Sequence, residues 1–274
     1  MAIIDIPTFS LSNNVAIPAI GLGTYPIASD RIPEVLHGAQ EVGYTLFDTS
    51  ASYGNERGIG KALRSDDFVT TKISNVDQKR GTVGIAQVRS RLRLRRKTID
   101  LLLLHWPYPG KYCESWKVLE KLYKNGICRA IGVANFKIHH LKTLMESAEI
   151  LPMVDQFERH PMYAEADLVT FCKDNGIVPE AYTPFARMDK RLFGDPRLKE
   201  IAARHDKQIT QVILRWNYQH GVISIPKTES RQRMIENASV FDFTLSEQEM
   251  RLIDELDCGM RVRYDPDNCD YDKL

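Results

Sequence analysis

Apolar residues in the chain fall into eight short runs that are nearly continuous and do not alternate with polar residues. The runs span residues 16–24, 45–50, 68–72, 99–106, 130–136, 153–158, 177–184 and 222–227. Runs of this length and continuity are typical of parallel strands that are buried on both faces of a sheet. The pattern therefore predicts eight parallel strands.

Segments between and after these runs have the spacing of amphipathic helices. Apolar residues recur three or four positions apart in residues 30–43, 84–95, 115–126, 137–149, 166–176, 195–205, 228–240 and 246–257. Two of the segments end in Asn-Gly, which is typical of helix C-termini, and Ser246 and Glu249 have the spacing of a capping box. Because strands and helices alternate without a break in composition, the chain predicts a single α/β domain over residues 1–274, a (β/α)8 TIM barrel rather than a doubly wound sheet with a second domain.

The two ends of the chain lie outside this repeat. Residues 7–18 contain two alternating stretches that flank Ser-Asn-Asn, which predicts an N-terminal β-hairpin that closes the bottom of the barrel. Beyond the eighth run, the two C-terminal helical segments are extra helices, and residues 259–274 form a polar tail.

Polar or aromatic residues stand at the ends of seven of the predicted strands. They are Asp48, Lys72, His105, Asn135, Gln156, Tyr182 and Lys227. The C-terminal ends of barrel strands meet at one mouth, where barrel enzymes hold their active sites. Any one of these residues is as consistent with a structural role at a strand end as with a site, but seven together favour a site.

Tyr53 follows the second predicted strand on a loop, where no helix or strand pattern requires an aromatic residue. A free phenol has a pKa of about 10 and is a poor proton donor near neutral pH. Lys72 would lower this pKa, and Asp48 would hold Lys72 charged. His105 can donate a hydrogen bond to a carbonyl oxygen. Because the chain has no serine or cysteine nucleophile motif, we expect a hydride donor to attack the carbon.

Composition argues against several other classes of function. The 37 Lys and Arg residues balance 36 Asp and Glu residues, so no overall field favours nucleic acid or an anionic membrane. We interpret the basic run around residues 90–97 as the solvated end of a helix whose apolar side is Val88 and Leu92. No apolar run reaches the roughly 18 residues of a membrane span. The partner is therefore expected to be a small molecule.

The cysteines and histidines do not form a metal or disulfide pattern. Five cysteines occur, with no CxxC pair, which argues against a disulfide framework and against a zinc site. No metal is assigned to five histidines without a trusted ligand spacing, which are His139, His140, His160, His205 and His220. We expect a reduced, cytoplasmic and monomeric protein.

Taken together, the motifs resemble the aldo-keto reductase family. The stretches GLGTY, FDTSASYGNE, FVTTK, DLLLLHWP, RAIGVANF, DQFERHP, EAYTP and IPKTESRQRMIEN occur in this order over nearly the whole chain. The chain is most similar to compact microbial members such as 2,5-diketo-D-gluconate reductase. The resemblance implies that Tyr53 is the proton donor, with Lys72 and Asp48 beside it, and that His105 orients the carbonyl. Hydride would come from a nicotinamide bound in the barrel mouth without a Rossmann fold.

The resemblance also implies a site for NADPH or NADP+. Tyr182 would stack on the nicotinamide, and Asn135 and Gln156 would hold its carboxamide. The remaining cofactor contacts, including those to the 2′-phosphate and adenosine, would come from Thr183, Lys227, Thr228, Arg233, Glu236 and Asn237. One departure from the family pattern is Ala134, where the usual serine would give the carboxamide another hydrogen bond. We expect NADPH to be preferred over NADH.

Tyr25, Trp106 and His105 are expected to line the substrate site. The loop after the fourth strand and the C-terminal tail are both short, which suggests an open site. The expected activity is the NADPH-dependent reduction of small aldehydes, α-dicarbonyls or keto-sugars to alcohols. Two alternatives stay open. The chain could bind NADPH as a redox-sensing partner without significant turnover, or it could be an isomerase or lyase that uses Lys72 as a Schiff base.

Overall fold

The computed structural model describes residues 3–274, in which ten strands form two sheets. The strands are β1 (Thr8–Ser10), β2 (Ala16–Pro18), β3 (Leu22–Gly23), β4 (Leu46–Asp48), β5 (Phe68–Ile73), β6 (Ile99–Leu104), β7 (Cys128–Ala134), β8 (Val154–Glu158), β9 (Val178–Tyr182) and β10 (Ile223–Ser224). β1 and β2 pair antiparallel, and β3 to β10 follow one another in chain order in a parallel sheet. The predicted hairpin and the predicted parallel sheet are both confirmed.

Backbone hydrogen bonds between the first and last strands close the parallel sheet into a barrel. The Gly21 amide donates to the Ser224 carbonyl at 2.9 Å, and the Gly23 amide donates to the Pro226 carbonyl at 3.2 Å. A Cβ atom on Gly23 would lie 2.7 Å from the Ile225 carbonyl oxygen, so only glycine allows the two edges to approach this closely. The barrel architecture that the sequence predicts is therefore present.

The first predicted run, residues 16–24, supplies two strands instead of one. Its first part is β2, which pairs with β1 in the hairpin, and its last part is β3, which pairs with β4 in the barrel. The hairpin brings Leu11 and Ile17 against side chains of the barrel interior such as Leu101, which closes the bottom as expected. The eighth barrel strand is also shorter than predicted.

Twelve helices accompany the strands in the part of the chain that the structure describes, and they include a helix in each of the eight predicted segments. They are α1 (Ile32–Val42), α2 (Glu56–Ala62), α3 (Asn75–Arg80), α4 (Val83–Leu94), α5 (Tyr112–Lys124), α6 (Ile138–Met145), α7 (Ala166–Asp174), α8 (Lys190–Gly194), α9 (Pro196–Arg204), α10 (Ile209–Gln219), α11 (Arg231–Ala238) and α12 (Glu247–Asp254). Within residues 3–274, no helix combines the length and the apolar character that a membrane crossing needs.

The sequence did not predict α2, α3, α8 and α10. In α10 the polar residues Gln211, Arg215 and Asn217 are buried together with their apolar neighbours, so the helix has no simple polar face. In α2 two glycines weaken the intrinsic helix propensity. A Cβ atom on Gly60 would lie 2.3 Å from the Arg93 carbonyl oxygen, so the glycine permits close packing of α2 on the end of α4.

The apolar side that the sequence assigned to α4 is wrong. Val88 and Leu92 are 44% and 75% exposed. The face that packs on the protein repeats at the same helical spacing but in a different register, and its buried residues are Val83, Ala86, Gln87, Ser90 and Leu94. Because this face contains small and polar residues, a pattern based on large apolar residues does not identify it.

Side-chain alternation along the strands decides which polar residues enter the barrel. In β5, Phe68 packs with the interior side chains, whereas Val69 and Ile73 pack outward against the helices. Because successive side chains in a strand point to opposite faces, Lys72 points inward. The same alternation in β4, β8 and β9 places three other polar residues inside, namely Asp48, Gln156 and Glu180.

Residues 257–274, which we call the strap, fold back across the mouth of the barrel. The backbone amide of Val262 donates to Glu158 Oε1 at 2.7 Å, which ties the strap to the end of β8. Farther along, the Tyr271 ring packs edge-on against Trp106, with ring centroids 6.5 Å apart. The sequence predicted only a polar tail here. Because the strap lies across the mouth, the site is less open than the short loops suggested.

Candidate active site

A buried ion pair lies beneath the mouth of the barrel. Lys72 Nζ donates to both carboxylate oxygens of Asp48 at 2.7 Å and to the Thr49 carbonyl at 2.9 Å, so all three ammonium hydrogens have acceptors. Burial by itself lowers the pKa of Lys72, but the nearby Asp48 and Tyr53 groups outweigh it, and the pKa is raised overall. Lys72 is therefore a positioned, permanently charged group.

Tyr53 stands directly over this pair. It ends a 3-10 turn, Ala51–Tyr53, that is capped where Ser50 Oγ accepts from the Ser52 amide. Lys72 Nζ lies 5.2 Å from the Tyr53 ring centroid, so the charge of the ammonium acts directly on the phenol. Two adjacent strand ends thus bring the phenol and the ammonium together, as the sequence predicted.

The net shift in the pKa of Tyr53 is opposite to the expected one. Burial raises this pKa, the charge of Lys72 lowers it, and Asp48 raises it again, so that the pKa lies above its usual value of 10.0. The expectation of a net lowered pKa is wrong because it left out the loss of hydration. The phenol consequently keeps its proton at neutral pH, as a proton donor must.

His105 lies across from Tyr53, with ring centroids 5.8 Å apart. Burial, together with the charges of Lys72 and Arg263, lowers the pKa of His105 to about 3, so the ring is neutral. Ser50 Oγ accepts from the Ser52 amide and lies 3.2 Å from His105 Nδ1, to which its hydroxyl can donate. In the tautomer that accepts this bond, the ring proton is on Nε2, where it can be donated to an oxygen.

Asn135 connects His105 to Tyr182. Its Nδ2 donates to the His105 carbonyl at 2.9 Å, and its Oδ1 accepts from the Tyr182 hydroxyl at 2.6 Å. Asn135 and Thr183 both have left-handed backbone conformations, with φ of 63° and 52°. Backbone strain of this kind, at the ends of β7 and β9, concentrates at functional sites, most clearly for the β-branched Thr183.

Gln156 is held by two carboxyl groups. Its Nε2 donates to Asp48 Oδ2 at 2.9 Å and to Glu180 Oε2 at 3.1 Å. Burial, followed by the charge of Asp48, raises the pKa of Glu180 to about 8, so Glu180 is protonated at neutral pH. The sequence analysis did not single out Glu180, although it lies two residues before Tyr182 and strand alternation would have placed it inside the barrel.

These residues line a cavity of about 690 Å³ at the barrel mouth. Of the residues that the sequence proposed for the site, the structure places in its wall Tyr25, Asp48, Tyr53, His105, Trp106, Asn135, Gln156, Tyr182, Thr183, Lys227, Thr228, Arg233, Glu236 and Asn237. Lys72 is not in the wall because it lies behind Tyr53 and Asp48. The volume is within the range of sites for small molecules and cofactors.

The wall also contains residues that the sequence analysis did not name. They include Phe185, Arg187, Phe193, Ile209 and Arg263. Most of them lie in the segment between β9 and α10, and Arg263 lies in the strap. Their positions depend on how these segments fold over the mouth, and the chain shows no local pattern that would reveal them.

The polar groups in the cavity suit a nicotinamide dinucleotide. Gln156 Oε1 has no hydrogen-bond partner among residues 3–274, so it is free to accept from a carboxamide NH2 group. At the other end, Lys227 pairs with Glu229 at 2.7 Å, whereas the Arg233 side chain has no ion pair within the described range. An acceptor at one end and a free guanidinium at the other fit a carboxamide and a phosphate.

Aromatic rings form the outer part of the mouth. The Tyr25 ring centroid is 4.9 Å from that of Tyr53, and the Trp106 ring centroid is 6.3 Å from that of His105. Tyr25 is about half exposed, whereas Trp106 is buried beside Tyr271 of the strap. The three residues that the sequence analysis proposed for substrate binding thus lie next to Tyr53.

His139, His140 and Asp267 form a second cluster, outside the cavity, with side-chain nitrogens and oxygen close enough to hold a metal. The Lys137 amide donates to His140 Nδ1 at 3.2 Å, so the ring proton of neutral His140 is on Nε2, the atom that a metal would need. Lys137 Nζ already donates to Asp267 at 2.7 Å. The cluster is better explained as an anchor for the strap.

A closed parallel barrel whose mouth combines a protonated tyrosine, a buried lysine–aspartate pair and a neutral histidine is the architecture of a barrel oxidoreductase. The model of the Aldo/keto reductase family matches residues 19–257. The chain belongs to the aldo/keto reductase family, which confirms the resemblance seen in the sequence.

Characterised relatives and solved structures cover nearly the whole chain. It is similar to glyoxal reductase of Bacillus subtilis, with 43% identity over 267 residues, or 95% of this chain and 96% of the relative. It is also similar to methylglyoxal reductase DkgA of Escherichia coli, with 36% identity over 265 residues, 94% of this chain and 96% of the relative. A silkworm (Bombyx mori) aldo-keto reductase crystallised with NADPH has a TM-score of 0.89 and 33% identity, covering 95% of this chain and 90% of that one.

Proposed function

We propose that this protein is an NADPH-dependent reductase that converts small aldehydes, α-dicarbonyls or keto-sugars to alcohols. The observation that carries the proposal is the position of Lys72 Nζ, 5.2 Å from the Tyr53 ring centroid and held charged by Asp48 at 2.7 Å. A phenol that keeps its proton until the reaction, beside a fixed positive charge, is suited to give that proton to a developing alkoxide.

Each residue around the tyrosine has a distinct role in this proposal. His105 Nε2 donates a hydrogen bond to the carbonyl oxygen and orients it. Tyr53 transfers its hydroxyl proton to the same oxygen, and the positive charge of Lys72 stabilises the phenolate that remains. When bound, NADPH supplies the hydride that is added to the carbonyl carbon. In the oxidation direction Tyr53 accepts the proton from the alcohol.

The cofactor would be held along the cavity. Tyr182 would stack on the nicotinamide, Asn135 and Gln156 would hold the carboxamide, and Thr183 would contact the cofactor beside them. The 2′-phosphate and adenosine would be bound by Lys227, Thr228, Arg233, Glu236 and Asn237. Ala134 offers no hydroxyl to the carboxamide, so Gln156 Oε1 would be a principal acceptor for it.

The comparisons support both the cofactor and the substrate class. Two relatives are named as reductases of glyoxal and of methylglyoxal, which are α-dicarbonyls, and the silkworm structure contains NADPH. The proposal includes a small carbonyl compound as partner and a monomeric, cytoplasmic protein. Its five cysteines are unpaired, which fits a reducing compartment.

Both alternatives fit the structure less well. A Schiff base requires an uncharged, accessible lysine, whereas Lys72 is fully buried and its ammonium hydrogens are all donated. A barrel that only binds NADPH would not require the proton-donor arrangement around Tyr53, and the relatives reported above are named as reductases.

The proposal can be tested by following the absorbance of NADPH on addition of methylglyoxal or a simple aromatic aldehyde. We expect oxidation by the wild type and a loss of at least about 100-fold in kcat for Tyr53→Phe, with NADPH binding retained. Tyr123→Phe is a matched control, because this hydroxyl accepts from Asn13 near the N-terminal hairpin and should not affect the rate. Oxidation that persists in Tyr53→Phe would exclude the assigned proton donor. Binding of NADPH without turnover of any carbonyl would favour the redox-sensing alternative.

A further inference from the structure

The strap places a guanidinium at the carbonyl end of the cavity. The Arg263 backbone amide donates to Glu158 Oε2 at 3.1 Å, next to the bond that Val262 makes to Oε1 of the same carboxylate. Glu158 itself is only 3% exposed, so it is a fixed anchor. Because two successive amides are held by one buried side chain, the position of Arg263 at the mouth is well determined.

The Arg263 side chain lines the same cavity as Tyr53 and His105. Its positive charge acts on both groups, because it contributes to lowering the pKa of His105 and offsets part of the rise in the pKa of Tyr53. Lys227 and Arg233, the cations suited to a cofactor phosphate, belong to the segment after β10. Arg263 is therefore placed to meet the substrate rather than the phosphate end of a dinucleotide.

The carboxylates near Arg263 along the strap are all engaged elsewhere. Asp265 and Asp267 pair with Lys137 at 2.9 and 2.7 Å, and Asp265 also pairs with Arg261 at 3.3 Å. For Arg263, no side-chain hydrogen bond or ion pair is formed within residues 3–274, and its guanidinium carbon lies 5.6 Å from the Tyr264 ring centroid.

An unpaired guanidinium beside a reaction centre is suited to a particular kind of ligand. Its planar array of N–H donors matches a carboxylate in a bidentate arrangement, and such charge-assisted hydrogen bonds are stronger than neutral ones. Among the described residues that line the carbonyl end of the cavity, the carboxylate is that of Asp48, which Lys72 neutralises, so it does not compete for Arg263.

We propose that the preferred substrates are aldehydes or ketones that carry a carboxylate, and that Arg263 is the specificity-determining residue that binds this group. The inference rests on the proposed reductase function. In the reaction the carbonyl π bond breaks, its carbon receives a hydride from NADPH, and its oxygen receives the Tyr53 proton. The carboxylate is unchanged and serves only to bind.

The test uses two substrates that differ in charge, 4-formylbenzoate and its methyl ester. The wild type is expected to favour the acid by about 10- to 100-fold in kcat/KM, mainly through a lower KM. This is the size of effect that a hydrogen bond to a charged group produces. Arg263→Met is expected to reduce this acid-to-ester ratio to about 1, and Arg263→Lys to restore part of it. Added salt should raise KM for the acid more than for the ester.

Arg261→Met is the matched control. Arg261 lies two residues away in the strap, pairs with Glu165 and Asp265, and does not line the cavity. Its replacement should keep the acid-to-ester ratio of the wild type. An equal loss of the ratio in both variants would show that strap order, not the Arg263 charge, sets the preference, and would overturn the inference.

The remaining outcomes separate the inference from the proposed function. Turnover of both substrates with equal efficiency by the wild type would overturn the role of Arg263 and leave the reductase function intact. Failure to reduce either substrate, or any other carbonyl compound in a panel, would overturn the proposed function and the inference with it.

Discussion

Lys72 Nζ lies 2.7 Å from each carboxylate oxygen of Asp48, and the exposed fractions of the two side chains are 0% and 4%. The net stabilisation from such a buried pair is small, because both ions lose their hydration when the chain folds. Removal of one member of the pair is much more destabilising, because the remaining charge stays buried without a partner. The pair therefore links the stability of the barrel to the charge that the proposed reaction needs.

Lys72→Met is expected to lower the free energy of unfolding by about 3–5 kcal/mol, because it leaves the buried Asp48 carboxylate without its counter-ion. Asp48→Asn should also destabilise the protein, and the double variant should be less destabilised than the sum of the two. Urea denaturation of the four proteins measures this coupling. Strictly additive losses would contradict a coupled pair.

Arg233→Met is expected to reduce the preference for NADPH over NADH by about 10-fold or more, because the variant removes a charge-assisted contact to the 2′-phosphate. The measurement is kcat/KM for each cofactor with one carbonyl substrate. Arg231→Met is the control on the same helix, since Arg231 pairs with Glu41 at 3.5 Å and does not line the cavity. Equal efficiency of the wild type with both cofactors would refute the predicted preference.

Glu158→Ala is expected to loosen the strap, because the carboxylate accepts from the amides of Val262 and Arg263 at 2.7 and 3.1 Å. Hydrogen exchange at these two amides should accelerate, and KM for a carbonyl substrate should rise. Glu120→Ala is a matched control on another side of the barrel. The buried Glu120 carboxylate likewise accepts from two successive backbone amides, those of Glu149 and Ile150.

The measurement that decides this prediction is hydrogen exchange at residues 262 and 263 in the two variants. The control variant should destabilise the protein without changing exchange in the strap. If both variants accelerate exchange at residues 262 and 263 to the same extent, the strap is governed by overall stability, and its specific attachment to Glu158 is refuted.

Stability is expected to fall as the pH drops below about 6.5. The pKa of His105 is lowered to about 3 and that of His140 to about 4, mainly by burial. Between these values and the unfolded pKa near 6.5, the unfolded chain binds more protons than the folded one, so the free energy of unfolding rises with pH. Both contributions are fully present above pH 6.5, and they are lost as the pH falls to about 4 for His140 and about 3 for His105.

Thermal denaturation between pH 7.5 and pH 4.5 measures this dependence. His140→Gln should make the curve flatter over this range, because one of the two buried groups no longer takes up a proton on unfolding. His37→Gln, at an exposed position on α1, serves as the control and should leave the slope unchanged. A curve for His140→Gln as steep as that of the wild type would contradict the assignment.

Much of the barrel could be predicted because its strands are buried on both faces. Continuous apolar runs identify such strands, and the polar residues that end them stand out by contrast, which is how Asp48, Lys72 and His105 were found. The alternation of side chains then requires Asp48 and Lys72 to point into the same interior. The register of the β4 and β5 strands, with Asp48 opposite Thr70, brings the two groups together.

Several features lacked such a local signal. Helix α10 buries polar side chains, and α2 contains glycines that are needed for close packing, so neither has the ordinary helical pattern. The sign of the pKa shift of Tyr53 depends on how completely the fold removes water from the phenol, and this loss is not encoded in the identity of its neighbours.

The hydrophobic pattern and the strand-end residues of the chain already specify a barrel of eight parallel strands and most of the side chains at its mouth. Only the folded chain shows that the strap returns across this mouth and places Arg263 in the cavity. The strap is held by contacts between residues about 100 positions apart, such as Val262 with Glu158. Contacts at this separation leave no periodic pattern in the sequence, because they depend on where distant strand ends meet.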